Sequence, residues 1–429
     1  MHGFIRFSPN ERRIIDHSLF RRLRFIKQLA LTEFLYPGAT HSRFEHSLGT
    51  MHVATLAFDR LAQVKGDVME RTFGKVPELE DRPLAKARQI LRLAALLHDV
   101  GHGPFSHAAE SVVHEGAGHE ELSIQVVEQD DLLGGELDEA FFSGCRQLVA
   151  KILRGGDPLP RQIRVLSEIV SGEMDADRTD YLIRDSLHCG VEYGRFDYQR
   201  MIECLELLEG PGDSLEIGLN RGGIHTFEAL ILARYQMNSQ VLYHPVRRIY
   251  DFYLKKYLSE KADTWFRTPT AVLGQNDITV IATMFEDAAR PASRASEWAK
   301  RITERRHHRK VHETGETTSA IDLRCSRTLA EQIGEEFPDC DFVWDHAQAK
   351  IHSLLLPDDM QDAGLVQLHV IDKSGFRRLM GEQSHILRRV PRRFQIARLF
   401  VDRDPPLTLN ERRKIEEYAS VTYGKLGGR

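Results

Sequence analysis

The chain has 429 residues, of which 41% are hydrophobic and 28% charged, and its formal net charge is −5. These are the proportions of a globular protein in water, long enough for two or three domains or for one large helical domain with an appendage. They exclude a bilayer-crossing helix, since no apolar run approaches the ~20 residues required, and five scattered Cys without a C-x-x-C pair exclude a thiolate zinc site and a disulfide framework. Met1–Arg6 lacks the apolar core of a signal peptide, so the chain is expected in the cytoplasm.

From Glu11 to Thr32, apolar Ile14, Ile15, Leu19, Phe20, Leu23, Ile26 and Leu29 recur at helical spacing among Arg and Lys. This predicts an amphipathic helix pair with a basic face. A turn at Tyr36–Ser42 precedes Arg43-Phe44-Glu45-His46, which opens a helix running through Met51, Val53, Ala54, Leu56 and Ala57. Residues 66–83, charged and Pro-containing, read as a polar connection.

The most informative stretch follows. Ala85 to Leu97 is rich in Ala and Leu and predicts a mostly buried helix ending near Gly101, which delivers His98 and Asp99 into the interior. A buried carboxylate without a partner costs several kcal/mol or is forced to neutralise, so Asp99 needs a cation, and His98 is a natural co-ligand for a divalent metal. Gly101, Gly103 and Pro104 break the helix at once and let His102 and His107 turn back toward the same point. Glu110, His114, Glu115, His119 and Glu120 add further carboxylates and imidazoles just beyond.

Leu122 to Leu153 is helical in pattern, with a break at Gly134-Gly135. On a helix, residues four apart differ by about 40° in direction. Asp177, Tyr181 and Asp185 therefore share one face, with Arg178 beside it, and that stripe makes a poor core and a good ligand wall. A short strand pair is expected around Leu215–Ile217 and Ile224, then a helix from Thr226 to Tyr257 that carries Arg234 and is kinked by Pro245. Ile278 to Glu313 is again helical in pattern and ends in a basic cluster at 300–310 that reads as a solvated helix end. From Thr318 the texture changes: Phe342–Val343, Ile351–Leu356, Leu365–Ile371 and Ile396–Val401 read as strands, with Thr328–Glu336 and Ser384–Arg389 helical. The expected fold is mainly α, with a smaller C-terminal α+β lobe.

His46, His98, Asp99 and Asp177 each sit at a helix end or on a helix face beside apolar residues. Two imidazoles and two carboxylates with open positions suit Mn, Fe, Mg or Zn in phosphoryl hydrolysis. Arg43-Phe44-Glu45-His46, the run from His98 to His107, and Asp175-Ala176-Asp177-Arg178-Thr179-Asp180-Tyr181 resemble the signature segments of the HD-domain deoxynucleoside triphosphate triphosphohydrolases. The similarity runs from the first residues to about residue 310, and Ser384–Arg389 with Arg398–Val401 resembles the family's C-terminal lobe.

The resemblance implies a helical HD phosphohydrolase domain over residues 1–313 and an α+β lobe over 314–429. It implies a divalent metal held by His46, His98, Asp99 and Asp177, with His107 as general acid oriented by Glu110 and His119, and with His102 at the phosphate. It assigns Arg43 to the α-phosphate, Arg178 and Arg234 to the polyphosphate, Gln28 and Asp185 to the sugar 3′-hydroxyl, and Tyr181 to the sugar face. The implied partners are a nucleoside triphosphate substrate, an activator nucleotide met by Asp16 and Arg24, and further copies of the chain in a homodimer or homotetramer. Nucleic acid is a less favoured ligand, and no membrane is implied. Two positions depart from the family pattern: Arg178 replaces a lysine, and Leu242, beside Tyr243, replaces a tyrosine that blocks a ribose 2′-hydroxyl. An HD phosphatase or nuclease acting on another nucleotide, a biosynthetic intermediate or a nucleic-acid end is the alternative. A nucleotide- or nucleic-acid-binding regulator without turnover is a third reading, supported only by the basic cluster.

Overall fold

A computed structural model describes residues 1–113, 118–157, 159–290, 293–357, 359 and 365–428. The fold is mainly helical, with small sheets. Two compact units interleave along the chain: the first comprises Met1–Arg234, Lys261–Val280 and Ser353–Val390, the second Tyr235–Glu260, Ile281–His352 and Pro391–Arg429. The boundary expected at 313/314 thus falls inside the second unit, because the strand ending at Glu313 pairs with a strand beyond residue 390. Among the described residues, no helix is long and apolar enough to cross a membrane.

In the first unit the longest helix, Arg43–Phe73, packs along Pro83–Leu97. Leu93 to Leu97 are wholly buried, as their apolar run predicts. The two helices are tied by Arg88 to Asp59 and by Arg92, whose guanidinium bonds Thr55 and the buried Glu11. The long helix extends past residue 66, where a polar connection was expected: it kinks at Lys65 and continues, because Met69 and Phe73 bury their side chains and Phe73 stacks on Phe58. The amphipathic stretch after Glu11 resolves into short helices at Pro9–Asp16 and Ser18–Arg21 and a 3-10 turn, with Ile14, Ile15, Phe20, Leu23 and Ile26 buried. A four-stranded sheet orders Leu205–Glu209, Leu215–Asn220, His369–Ile371 and Arg377–Leu379, the middle pair parallel and the outer pairs antiparallel.

The expected helix over 226–257 is two helices, Ile224–Met237 and Pro245–Ser259, separated by a π-helical turn. Pro245 opens the second rather than kinking one, which is the position where its missing N–H costs nothing. In the second unit, Arg309–Glu313 is a strand rather than a helix end, in the antiparallel order Arg309–Glu313, Arg393–Asp402, Asp341–Lys350. Helices Ala320–Glu336 and Leu409–Lys425 cover one face of this sheet with Leu329, Ile333, Ile415, Ala419 and Tyr423. Much of the basic cluster is absorbed here: Arg301 pairs with Asp402, and His308 is buried between Tyr253 and Asp341. Gly334 lies in a helix with open space where a Cβ would stand. Gly334→Ala is therefore expected to raise stability by roughly 0.5–1 kcal/mol, read by chemical denaturation.

Candidate metal centre and its histidine group

Helix Pro83–Leu97 ends at the HD turn, where the Val100 amide donates to the Leu97 carbonyl and the His102 amide to the Asp99 carbonyl. Asp99 is 3% exposed and His46 fully buried. His46, from the first turn of helix Arg43–Phe73, His98 and Asp99 bring one donor atom each within 4.8 Å of one another. Asp177, from the first turn of helix Ala176–Cys189, completes the group. Its Oδ1 lies 2.9 Å from His46 Nε2 and 3.5 Å from His98 Nε2, while Asp99 Oδ2 lies 3.5 Å from each of those nitrogens. Metal–donor bonds of about 2.1 Å at tetrahedral or octahedral angles set neighbouring donors roughly 3.0–3.4 Å apart, and the 2.9 and 3.5 Å found lie just outside the two ends of that range.

The hydrogen bonds point the same way. His46 Nδ1 meets Asp180 Oδ2 at 2.9 Å and His98 Nδ1 meets the Ala95 carbonyl at 2.9 Å, whereas both Nε2 atoms are buried without a hydrogen-bond partner. With Nδ1 protonated against its acceptor, each Nε2 lone pair faces the space between the carboxylates. Burial pulls the His46 pKa down, but Asp177 and Asp180 raise it to about 10. The carboxylates that raise it thus favour positive charge at this point, and with His46 neutral the donor set fits a divalent ion.

Arg43 ion-pairs with Asp99 through Nη1 and donates through Nε to Ser106 Oγ at 2.8 Å, leaving Nη2 buried and unpartnered. Phe105 and Ser106 sit at φ 59° and 55°, left-handed conformations costly for side chains of this kind. Three contacts hold them: the Phe105 amide donates to Asp277 Oδ1 at 2.7 Å, the Ser106 hydroxyl to the Lys27 carbonyl at 2.7 Å, and the Phe105 ring is wholly buried. Burial pushes the Asp277 carboxyl up to about 6 although the Lys27 and Phe105 amides favour its charge. The turn thus aims Arg43 and His107 by fixing the backbone between them.

His102, His107 and His119 form a second group of ring nitrogens within 4.8 Å of one another. Glu110 clamps two of them, with Oε2 2.8 Å from His107 Nδ1 and Oε1 2.5 Å from His119 Nδ1. Those imidazoles hold the Glu110 carboxyl far below its ordinary range against burial. His102 and His119 stack at 3.7 Å with 11° between planes. Imidazole lone pairs lie in the ring plane, and nearly parallel planes do not meet near the pair, so one ion cannot be bound in-plane by both. Burial, then Arg43 and His119, keep His102 neutral with a pKa well below the usual imidazole value. The His107 side chain is 58% exposed, open to an incoming molecule. His114 and Glu115 lie outside the described residues.

The remaining expected residues fall into two places. The Gln28 backbone N–H donates to the His41 carbonyl at 3.0 Å, and His41 Nε2 bonds Asp185 Oδ1 at 2.8 Å, so the Gln28 backbone and the Asp185 side chain are joined through His41. Arg178 folds back on Asp175 at 2.8 Å and on the Gly172 carbonyl. Arg234 acts electrostatically on Asp175 and Tyr181. Of the activator pair, Asp16 pairs with Arg12 at 3.3 Å and Arg24 lies 3.5 Å over the Phe44 ring. Tyr243 stacks on Phe394 at 5.5 Å within the second unit. Sequence reasoning missed Asp180, Asp277, Ser106 and His41; only the three-residue spacing from Asp177 to Asp180 carried a signal.

Known proteins match along this same frame. Residues 43–182 match the HD domain and residues 196–338 the HD associated region. An uncharacterized protein of Methanocaldococcus jannaschii is 36% identical over 256 residues, covering 60% of this chain and 47% of that one. A deoxynucleoside triphosphate triphosphohydrolase SAMHD1 homolog of Dictyostelium discoideum is 31% identical over 270 residues, 61% of this chain and 48% of that one. The chain thus spans about half the length of the curated relatives it matches. A crystal structure of a hypothetical protein from Aquifex aeolicus superposes with a TM-score of 0.73 at 28% identity, covering 97% of this chain and 96% of that one. With His98-Asp99 at the end of a buried helix, the chain carries an HD domain followed by an HD associated region and is similar in sequence to the deoxynucleoside triphosphate triphosphohydrolase SAMHD1 homologs.

Proposed function

We propose that the chain is a metal-dependent phosphohydrolase that cleaves deoxynucleoside triphosphates at the α-phosphate, giving deoxynucleoside and triphosphate. The observation that carries this reading is the adjacency of two unlike groups: a four-donor set of His46, His98, Asp99 and Asp177, and the clamped histidines His102, His107 and His119, with Asp99 Oδ1 3.3 Å from His102 Nε2. A divalent ion of the Mn, Fe, Mg or Zn type held by the first group supplies Lewis-acid charge and a more acidic water.

The chain's own residues do the rest. Arg43 offers its unpartnered Nη2 to the α-phosphate, and Arg178 and Arg234 offset the polyphosphate charge. Gln28 and Asp185 hold the sugar 3′-hydroxyl, with His41 fixing the Asp185 carboxylate, and Tyr181 packs on the sugar. As water bonds to phosphorus, losing a proton to solvent, and the bond to the 5′-oxygen breaks, that oxygen takes a proton from His107 Nε2, which solvent then restores. Glu110 accepts from His107 Nδ1 and so stabilises the imidazolium that gives the proton. His102, neutral, contacts the phosphate, and copies of the chain assemble as a homo-oligomer in the cytoplasm.

One departure from the family pattern favours a second reading, an HD phosphatase or nuclease acting on another phosphate ester: Leu242 stands where the resemblance implies a tyrosine that blocks a 2′-hydroxyl. Chromatography of dATP, ATP and oligonucleotide after incubation with Mn²⁺ separates the two. Deoxynucleoside plus tripolyphosphate is expected from dATP. Orthophosphate or shortened oligonucleotide instead shifts the assignment to the second reading, and no product from any of the three sinks both.

A further inference from the structure

Asp180 is assigned no role by the family resemblance, yet it is among the most completely bonded side chains near the metal centre. Its side chain is 0% exposed and receives four contacts. His46 Nδ1 and Arg184 Nε approach Oδ2 at 2.9 and 2.8 Å, and His2 Nε2 and Arg184 Nη2 approach Oδ1 at 2.6 and 2.9 Å. His2 in turn has Nδ1 3.3 Å from the Tyr198 hydroxyl and lies against His52, ring centres 5.2 Å apart. Gly49, on the helix that carries His46, leaves room for this arrangement: a Cβ there would overlap the Asp180 carboxylate and the Arg184 guanidinium, 2.6 Å from Asp180 Cγ.

A pair whose only task was to join two turns of one helix would need neither an imidazole from another helix nor one from the start of the chain. Asp177 and Asp180 stand three apart, so one helix contributes both a donor and the carboxylate behind another donor. His98 differs, since its Nδ1 is held by the neutral Ala95 carbonyl of its own helix. We infer that Asp180 is a positioning residue of the metal centre, fixing the His46 tautomer with Nε2 toward the ion, and that His2 steadies Asp180 from the opposite oxygen. The inference rests on the metal-binding reading of His46, His98, Asp99 and Asp177.

The test is Co²⁺ titration of the full chain, following affinity by equilibrium dialysis and ligand field by the visible d–d bands, with melting of the metal-free proteins as a fold check. Carboxylates behind a metal-bound histidine typically govern affinity by about 10–100-fold. Asp180→Asn is expected to weaken Co²⁺ binding by that factor and to move the d–d bands; His2→Ala is expected to act in the same direction by less, but beyond twofold. Binding within twofold of the natural chain, with unmoved bands, in both variants overturns the inference. Should Asp180→Asn fail to fold, His2→Ala decides by the same twofold limit. A natural chain that takes up no Co²⁺ overturns the metal reading and the inference together, whereas normal uptake with indifferent variants overturns the inference alone.

Discussion

Asp99→Asn is expected to abolish metal uptake and to lower phosphohydrolase turnover by roughly a thousandfold or more, while the chain remains folded. The substitution keeps the shape of the side chain and removes its charge. That charge serves three neighbours at once: Oδ2 lies 3.5 Å from both His46 Nε2 and His98 Nε2, and the same carboxylate ion-pairs with buried Arg43. An amide is a poor ligand for the ion and leaves the guanidinium without a counter-charge, a loss of about 3 kcal/mol for a buried pair. Elemental analysis after dialysis, turnover by chromatography and thermal melting report the three effects separately. Full metal occupancy with undiminished turnover in the variant removes the proposed centre.

Gly101→Ala is expected to be a strongly damaging single-methyl change near the site. A Cβ at residue 101 would stand well inside van der Waals contact of the His119 carbonyl oxygen and the Ser123 amide nitrogen, and 2.8 Å from the Leu122 carbonyl carbon. All three atoms are backbone of helix Gly118–Glu128, which cannot yield by rotating a side chain. Forcing this helix away costs about 1–3 kcal/mol as overpacking. It also displaces His119, whose ring stacks on His102 and whose Nδ1 shares Glu110 with His107. A misplacement of about 1 Å in such a group costs roughly a hundredfold in rate. Gly334→Ala, where the added carbon meets nothing, is the control. A Gly101→Ala protein that melts and turns over like the natural chain would show that the loop and helix are not locked together as described.

The HD turn was legible because its residues leave few choices: an apolar helix, a buried acid, imidazoles and two glycines with a proline cannot all be satisfied by ordinary packing. Asp177 was legible from its helical face. Asp180 was not, since an acid near the start of a helix looks the same whether solvated or bonded, and only the arrival of His46 and His2 distinguishes the cases. The left-handed pair Phe105 and Ser106 was hidden for a related reason: neither residue type favours that conformation, and the contacts that hold it come from Lys27 and Asp277, far away in sequence.

In the fold, the apolar run of Pro83–Leu97 was legible, the expected strand Ile351–Leu356 forms only an isolated bridge at Leu354, and charged elements were not legible. Arg309–Glu313 buries only Val311, so nothing local marks it as a strand; pairing with Arg393–Asp402 decides. Leu409–Lys425 buries Ile415, Ala419 and Tyr423 in a stripe too narrow to stand out among its Arg, Lys and Glu. The stretch Ser384–Arg389, read as helical, is turn, with the Leu387 amide capped by the Ser384 hydroxyl.

The four-stranded sheet of the first unit is completed late in the polypeptide: Leu215–Asn220 acquires its parallel neighbour only when His369–Ile371 has been made. A ribosome releasing this chain must therefore emit more than a hundred further residues before that strand is covered, and until then its hydrogen-bonding rim is open to other nascent chains. Truncation after residue 313, the cut that sequence texture suggests, would make this transient hazard permanent, so a shortened helical fragment should aggregate through that open strand edge, where the intact polypeptide has it covered.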